Sequence, residues 1–145
     1  MDLKQIYREV VNEHNLYPAH KHDIENPTMT LQGVNPTCGD DIYLQVRIND
    51  EGVVEDAGFN GEGCAVSQAS TDIMIDQMIG KTREEALKLV ENFMDMIHGD
   101  ADEETIEELD EAAALQDVAH MPARAKCATL AWHTFEKMMA GEIED

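Results

Sequence analysis

Three cysteines and one aspartate are the residues of this chain best equipped for metal and sulfur chemistry. Cys38 lies in Asn35-Pro36-Thr37-Cys38-Gly39-Asp40. The proline fixes the approach of the backbone, and the glycine lets it fold closely around a bound atom. Asp40, two residues on, can turn a carboxylate to the same point. Cys64 follows Gly61-Glu62-Gly63 and opens a predicted helix. The exposed N–H groups and the dipole of a first helical turn stabilise a thiolate. Cys127 lies in the last predicted helix, one turn after Arg124, so the two share a face. A guanidinium there would stabilise a thiolate or a sulfur anion passing through. Three thiolates and one carboxylate make a closed tetrahedral set suited to zinc, and the soft sulfurs also suit iron–sulfur chemistry.

Spacing alone does not decide between this and plainer roles. There is no CxxC pair, and Cys127, Leu130, Ala131, Thr134 and Met138 form one helical stripe on which Cys127 can be ordinary core. Three widely spaced cysteines do not make a disulfide framework. Buried thiols, metal ligands and reactive thiols all stay open on this ground.

The elements that must position these residues are readable from periodicity. Leu3, Ile6, Tyr7, Val10 and Val11 make one apolar stripe on a helix over 2–14. Tyr17-Pro18 and Asn26-Pro27 mark a loop. Residues 29–34 read as a short strand ended by Asn35-Pro36. In 41–48, Ile42, Leu44, Val46 and Ile48 alternate with Tyr43, Gln45 and Arg47, as in a half-buried strand. Asn49-Asp50-Glu51-Gly52 signals a hairpin, and 53–59 is the return strand. Helices follow over 64–79, with Gly80 as its stop, and from a capping box of Thr82 and Glu85 through Ile97. A weaker, very acidic helix is expected within 102–115, carrying Ile106, Leu109 and Ala113. The last helix starts at Pro122 and runs to about Ala140, with Gly141 as its stop. Strands followed by helices predict an α+β domain, a small antiparallel sheet covered by helices.

Composition narrows the function classes. Among 145 residues, 31 are acidic and 10 basic, a formal net charge of -21. Such a surface repels phosphate backbones and an anionic leaflet, so no nucleic-acid or membrane partner is expected. It favours partners with basic patches, or is simply a solvated face. No segment reaches the roughly 18 apolar residues of a membrane span, and the start is not a secretory signal. A cytoplasmic protein is expected.

Other chemistry-bearing residues read as structural. His20-Lys21-His22 has the spacing of a ligand pair but lies in a polar loop and reads as solvated. His98, before Gly99, fits a helix C-terminus. His120, close to the third cysteine in sequence, is the one histidine kept as a supporting candidate. Ser67 and Ser70 fit close helix packing rather than nucleophilic catalysis. The acidic run at 100–111 reads as a solvated face, and the methionines as core. Gly61-Glu62-Gly63 lacks the pattern of a nucleotide loop.

Three blocks in order carry a family resemblance: Asn35-Pro36-Thr37-Cys38-Gly39-Asp40, Gly61-Glu62-Gly63-Cys64-Ala65-Val66-Ser67-Gln68-Ala69-Ser70, and Arg124-Ala125-Lys126-Cys127-Ala128-Thr129-Leu130-Ala131-Trp132. They resemble the signature blocks of the SufU-type branch of the SufU/IscU/NifU-like iron–sulfur cluster assembly proteins. The resemblance implies an IscU-like α+β sandwich with a three-stranded antiparallel sheet, one domain over 1–145, and a SufU-type insertion near 98–118. It implies zinc on Cys38, Asp40, Cys64 and Cys127. Lys126 stands where the IscU branch has histidine and cannot ligate while charged. Arg124 stands three before Cys127, as in SufU proteins, and the chaperone-binding motif of the IscU branch is absent.

The implied activity is a zinc-dependent sulfurtransferase. A pyridoxal-phosphate-dependent cysteine desulfurase of the SufS type would supply persulfide sulfur, and downstream iron–sulfur assembly proteins would receive it. A partner histidine replacing one cysteine on the zinc would free the acceptor, expected to be Cys38, with Arg124 pairing to Asp40 or a cysteine at rest. Whether such a relay counts as an enzyme is partly a matter of definition. The alternatives are a scaffold on which a cluster is assembled, and a zinc-stabilised interaction module.

Overall fold

The computed structural model describes residues 2–140. Helix α1 (Leu3–Leu16) is followed by strands β1 (Met29–Asn35), β2 (Asp40–Ile48) and β3 (Val54–Glu62). Helices α2 (Ala65–Met78), α3 (Arg83–His98) and α4 (Glu103–Glu108) come next. A 3-10 segment over Asp110–His120 then leads to α5 (Pro122–Ala140). The expected stop at Gly141 lies outside the described residues. None of the described helices is long and apolar enough to cross a membrane.

The strands form one antiparallel sheet in the order β1-β2-β3. This is the expected α+β arrangement. The alternation read in β2 places Ile42, Leu44 and Val46 in the core, because successive side chains of a strand leave on opposite faces. On β3 the inward residues are Val54, Ala57 and Phe59. Arg47 pairs with Asp56 and Ile48 with Val54, so Glu55 is bulged. The extra residue resets the phase and lets Val54 and Ala57, three apart, face the same way.

Helices α2, α3 and α5 complete the core. Trp132 of α5 stacks on Phe93 of α3 with ring centroids 3.9 Å apart. Trp132 Nε1 donates to Ser70 Oγ at 2.9 Å, and Ser70 Oγ donates to the Ala128 carbonyl at 2.6 Å. A buried indole N–H and a buried hydroxyl are thus both satisfied where α2 meets α5. Gly33 marks the close approach of β1 to α5, where a Cβ would collide with Thr134 Oγ1.

Two elements differ from expectation. Helix α1 buries none of its residues. Val10 and Val11 pack against the core, whereas Leu3 and Ile6 stay exposed, so only the later half of the apolar stripe is covered. The acidic helix expected within 102–115 is two pieces. Asp102 caps α4, the helix stops at Leu109, and Asp110 has φ 52. A left-handed residue cannot continue an α-helix. The chain restarts as a 3-10 segment whose Ala112, Ala113, Ala114, Leu115 and Val118 are buried.

Candidate metal centre

Each candidate residue reaches the centre from a different element. Pro36, Thr37, Cys38 and Gly39 form the turn between β1 and β2, with Gly39 at φ 72. That conformation is open to glycine at little cost. Cys38 is part-exposed at this tip, and its thiol lies 3.8 Å from the Ala123 carbonyl oxygen. Asp40 opens β2 and is buried. Cys127 is buried in the second turn of α5. Ligand atoms of Cys38, Asp40 and Cys127 all lie within 4.8 Å of one another. Cys64 is outside this trio, but its thiol and that of Cys127 each shift the other's pKa, which places it beside them.

Cys64 is the N-cap of α2, where its Sγ accepts from the Ser67 N–H at 3.4 Å. Burial raises the pKa of this thiol. The Ser67 hydrogen bond and the Cys127 thiol outweigh that, so the net shift is downward. Cys127 moves the other way, pushed up by burial and then by hydrogen bonds to Asp40, Cys38 and Cys64. Of the two thiols, Cys64 is therefore the readier to ionise and Cys127 the more firmly protonated. A bound cation would displace thiol protons. Two sulfurs and one carboxylate at this spacing, with the Cys64 sulfur as a fourth donor, fit a tetrahedral thiophilic ion such as zinc.

The sequence did not reveal how Asp40 is held. Its Oδ1 accepts from the Cys64 N–H and from Ser67 Oγ, both at 3.0 Å. Its Oδ2 accepts from Asn35 Nδ2 at 3.3 Å, and the same amide reaches Cys127 Sγ at 3.9 Å. Asn35 was legible only as part of an Asn-Pro turn, and Ser67 only as a small packing residue. Gly63 is part of the same fit, since a Cβ there would meet Ser67 Oγ and come within 2.9 Å of Asp40 Oδ1.

Arg124 is exposed and makes no ion pair or hydrogen bond among the described residues, so the expected resting contact with Asp40 is absent. Lys126 is exposed too. His120 lines a different cavity, with Met96, Ile97 and Gln116. His20 is not simply solvated: its Nε2 lies 2.5 Å from Asp76 Oδ1. His14, which the sequence did not single out, sits between Asp72 and Glu111. Burial lowers the pKa of its ring, but the two carboxylates raise it further, for a net upward shift.

The NifU-like N-terminal domain profile matches residues 6–139. The chain belongs to the NifU-like N-terminal domain family. It is 41% identical over 141 residues to the zinc-dependent sulfurtransferase SufU of Bacillus subtilis, covering 97% of this chain and 94% of that one. It is 42% identical over 135 residues to the iron–sulfur cluster assembly scaffold protein IscU of Streptococcus pyogenes, covering 93% and 83%. Among solved structures, a protein of Fervidobacterium islandicum assigned as an iron–sulfur cluster assembly scaffold for the SUF system superposes with a TM-score of 0.82. That pair shares 37% identity, over 93% of this chain and 97% of the other. The expected fold of the family is therefore the observed one. Relatives of nearly equal identity carry two different activity names.

Proposed function

We propose that this member of the NifU-like family is a zinc-dependent sulfur acceptor in iron–sulfur cluster assembly. It would take persulfide sulfur from a SufS-type cysteine desulfurase and relay it to downstream assembly proteins. The observation that carries this reading is the convergence of Cys38, Asp40 and Cys127, with Cys64 beside them. All four groups would hold the ion. When bound, zinc would keep the thiolates deprotonated and shielded. The name of the Bacillus subtilis relative supports the same activity. We read the chain as one domain over 1–145, with 98–118 as the insertion.

The chain's own residues divide the work. Cys64 and Cys127 are held by helices, one at an N-cap and one in a buried turn. Cys38 sits on a four-residue turn and can leave the centre with least movement. Its thiolate would attack the terminal sulfur of the donor persulfide. A new S–S bond forms on Cys38, the old one breaks, and the donor cysteine departs as thiolate, with no net oxidation. Arg124, exposed one turn before Cys127, would meet that anion once a partner docks. Half-exposed Val34 and Met121 precede the turn and α5 and offer apolar footing beside the acceptor.

Sulfur-labelled desulfurase mixed with the zinc-loaded protein should pass label to the chain. Cys38→Ser should lose on the order of a hundred-fold in rate, and Arg124→Ala should keep zinc yet transfer on the order of ten-fold more slowly. Undiminished labelling of Cys38→Ser would remove Cys38 as acceptor. The second reading is a scaffold for a cluster held as cargo, and the name of the Streptococcus pyogenes relative favours it. Exposed Lys126 adds no ligand to such a site.

A further inference from the structure

Away from the thiols, ligand-type side chains converge where α1, α2 and the 110–120 segment meet. One nitrogen of His14 and one carboxylate oxygen each of Asp76 and Glu111 lie within 4.8 Å of one another. His14 Nδ1 is held by Asp72 Oδ2 at 2.6 Å, and Asp72 is 1% exposed. The other oxygen of Asp72 accepts from the His20 N–H at 2.8 Å, so the carboxylate behind the ring is itself fixed. His14 Nε2 is left facing Glu111 Oε2 at 3.0 Å. His20 Nε2 adds a second imidazole against Asp76.

We propose that His14, Asp76 and Glu111 form a second cation site, for a divalent first-row transition ion, with Asp72 positioning the His14 ring. Two ligand atoms about 2.1 Å from one ion, at right or tetrahedral angles, stand roughly 3.0–3.4 Å apart. The His14–Glu111 spacing already has that value. A carboxylate on the far nitrogen fixes the tautomer that offers Nε2 and raises its basicity. A solvated acidic face has no such buried carboxylate aimed at an imidazole. One imidazole and two carboxylates suit manganese, iron or zinc better than a soft monovalent ion. The His14 side chain is 12% exposed, against 41% for Asp76 and 48% for Glu111. The imidazole is therefore rooted while the carboxylates open to solvent, which gives an entry path and room for water ligands. Binding would displace the proton between His14 and Glu111 and release it. Because the ligands come from α1, α2 and the 110–120 segment, the ion would clamp a first helix that buries none of its residues.

The site is independent of the thiols and harder in character, so manganese can report on it alone. Mn²⁺ titrated into the zinc-loaded full chain, followed by the resonance signal of the free ion, should show one bound per chain with zinc content unchanged. Glu111→Gln and Asp76→Asn, at part-exposed side chains that leave the core intact, should each weaken binding roughly ten-fold or more. Amide exchange in α1 should slow on adding Mn²⁺ to the natural chain and not in Glu111→Gln. No bound Mn²⁺, or weak multisite binding indifferent to both variants, would overturn the proposal, the second result marking attraction to the acidic surface only.

Discussion

At Gly63 a single methyl group would enter the space between Ser67 Oγ and Asp40 Oδ1. The backbone cannot yield freely there, because Cys64 N–H is already committed to Asp40. Gly63→Ala should therefore push Asp40 off its donors and cost on the order of ten- to hundred-fold in zinc affinity, the size of effect seen when ligand-orienting groups are lost. Competition with a chromophoric chelator measures this, and unchanged affinity would show that Asp40 is held by other means. The cysteines and Asp40 were legible because ligand chemistry restricts residue type and the turn and cap signals lie beside them in sequence. Asn35 and Ser67 were not. Their meaning lies in bonds to Asp40 and Cys127 that exist only once β1, α2 and α5 are assembled. His14 was missed for the same reason: its partners Asp72 and Glu111 are distant in sequence and carry no local pattern.

Between elements, the α2–α5 contact rests on Ser70, which joins Trp132 Nε1 to the Ala128 carbonyl. Ser70→Ala would strand a buried indole N–H at a cost of about 1–3 kcal/mol, readable in urea unfolding. A loss near zero would mean that Trp132 finds another acceptor. The start of α3 is sensitive to acid. The hydrogen bond that the Thr82 N–H donates to its side chain, with the Thr82 hydroxyl beside it, pulls the Glu85 carboxyl below its ordinary value of 4.5. A depressed carboxylate stabilises the fold above its unfolded pKa and loses that contribution as pH falls through the folded value. Protection of the first-turn amides of α3, taken relative to their intrinsic exchange rates, should thus fall as pH drops below 4.5, and Glu85→Gln should flatten the change. Caps and strand alternation were readable because they are local. The break at Asp110 was not. The small residues Ala112, Ala113 and Ala114 fit a tight segment packed by α1, α3 and α5, and that tertiary fit overrides helix propensity.

The whole chain carries a formal charge of -21, so the proposed association with a desulfurase, if that partner presents a basic patch, should be steered by charge. The association rate should fall as salt rises from about 0.05 to 0.5 M, over which the screening length drops from about 14 to about 4 Å. A rate indifferent to salt would mean that the acidic surface is only solvated. Sheet, helices and thiol centre together make one claim, that Cys38, Asp40, Cys64 and Cys127 hold a zinc ion from which sulfur chemistry proceeds. Elemental analysis of the purified natural chain and of Cys64→Ala tests it most directly. One zinc per chain at the thiols, distinguished by its loss in Cys64→Ala, is the predicted result. Iron with acid-labile sulfide in its place, or zinc unmoved by Cys64→Ala, would contradict it.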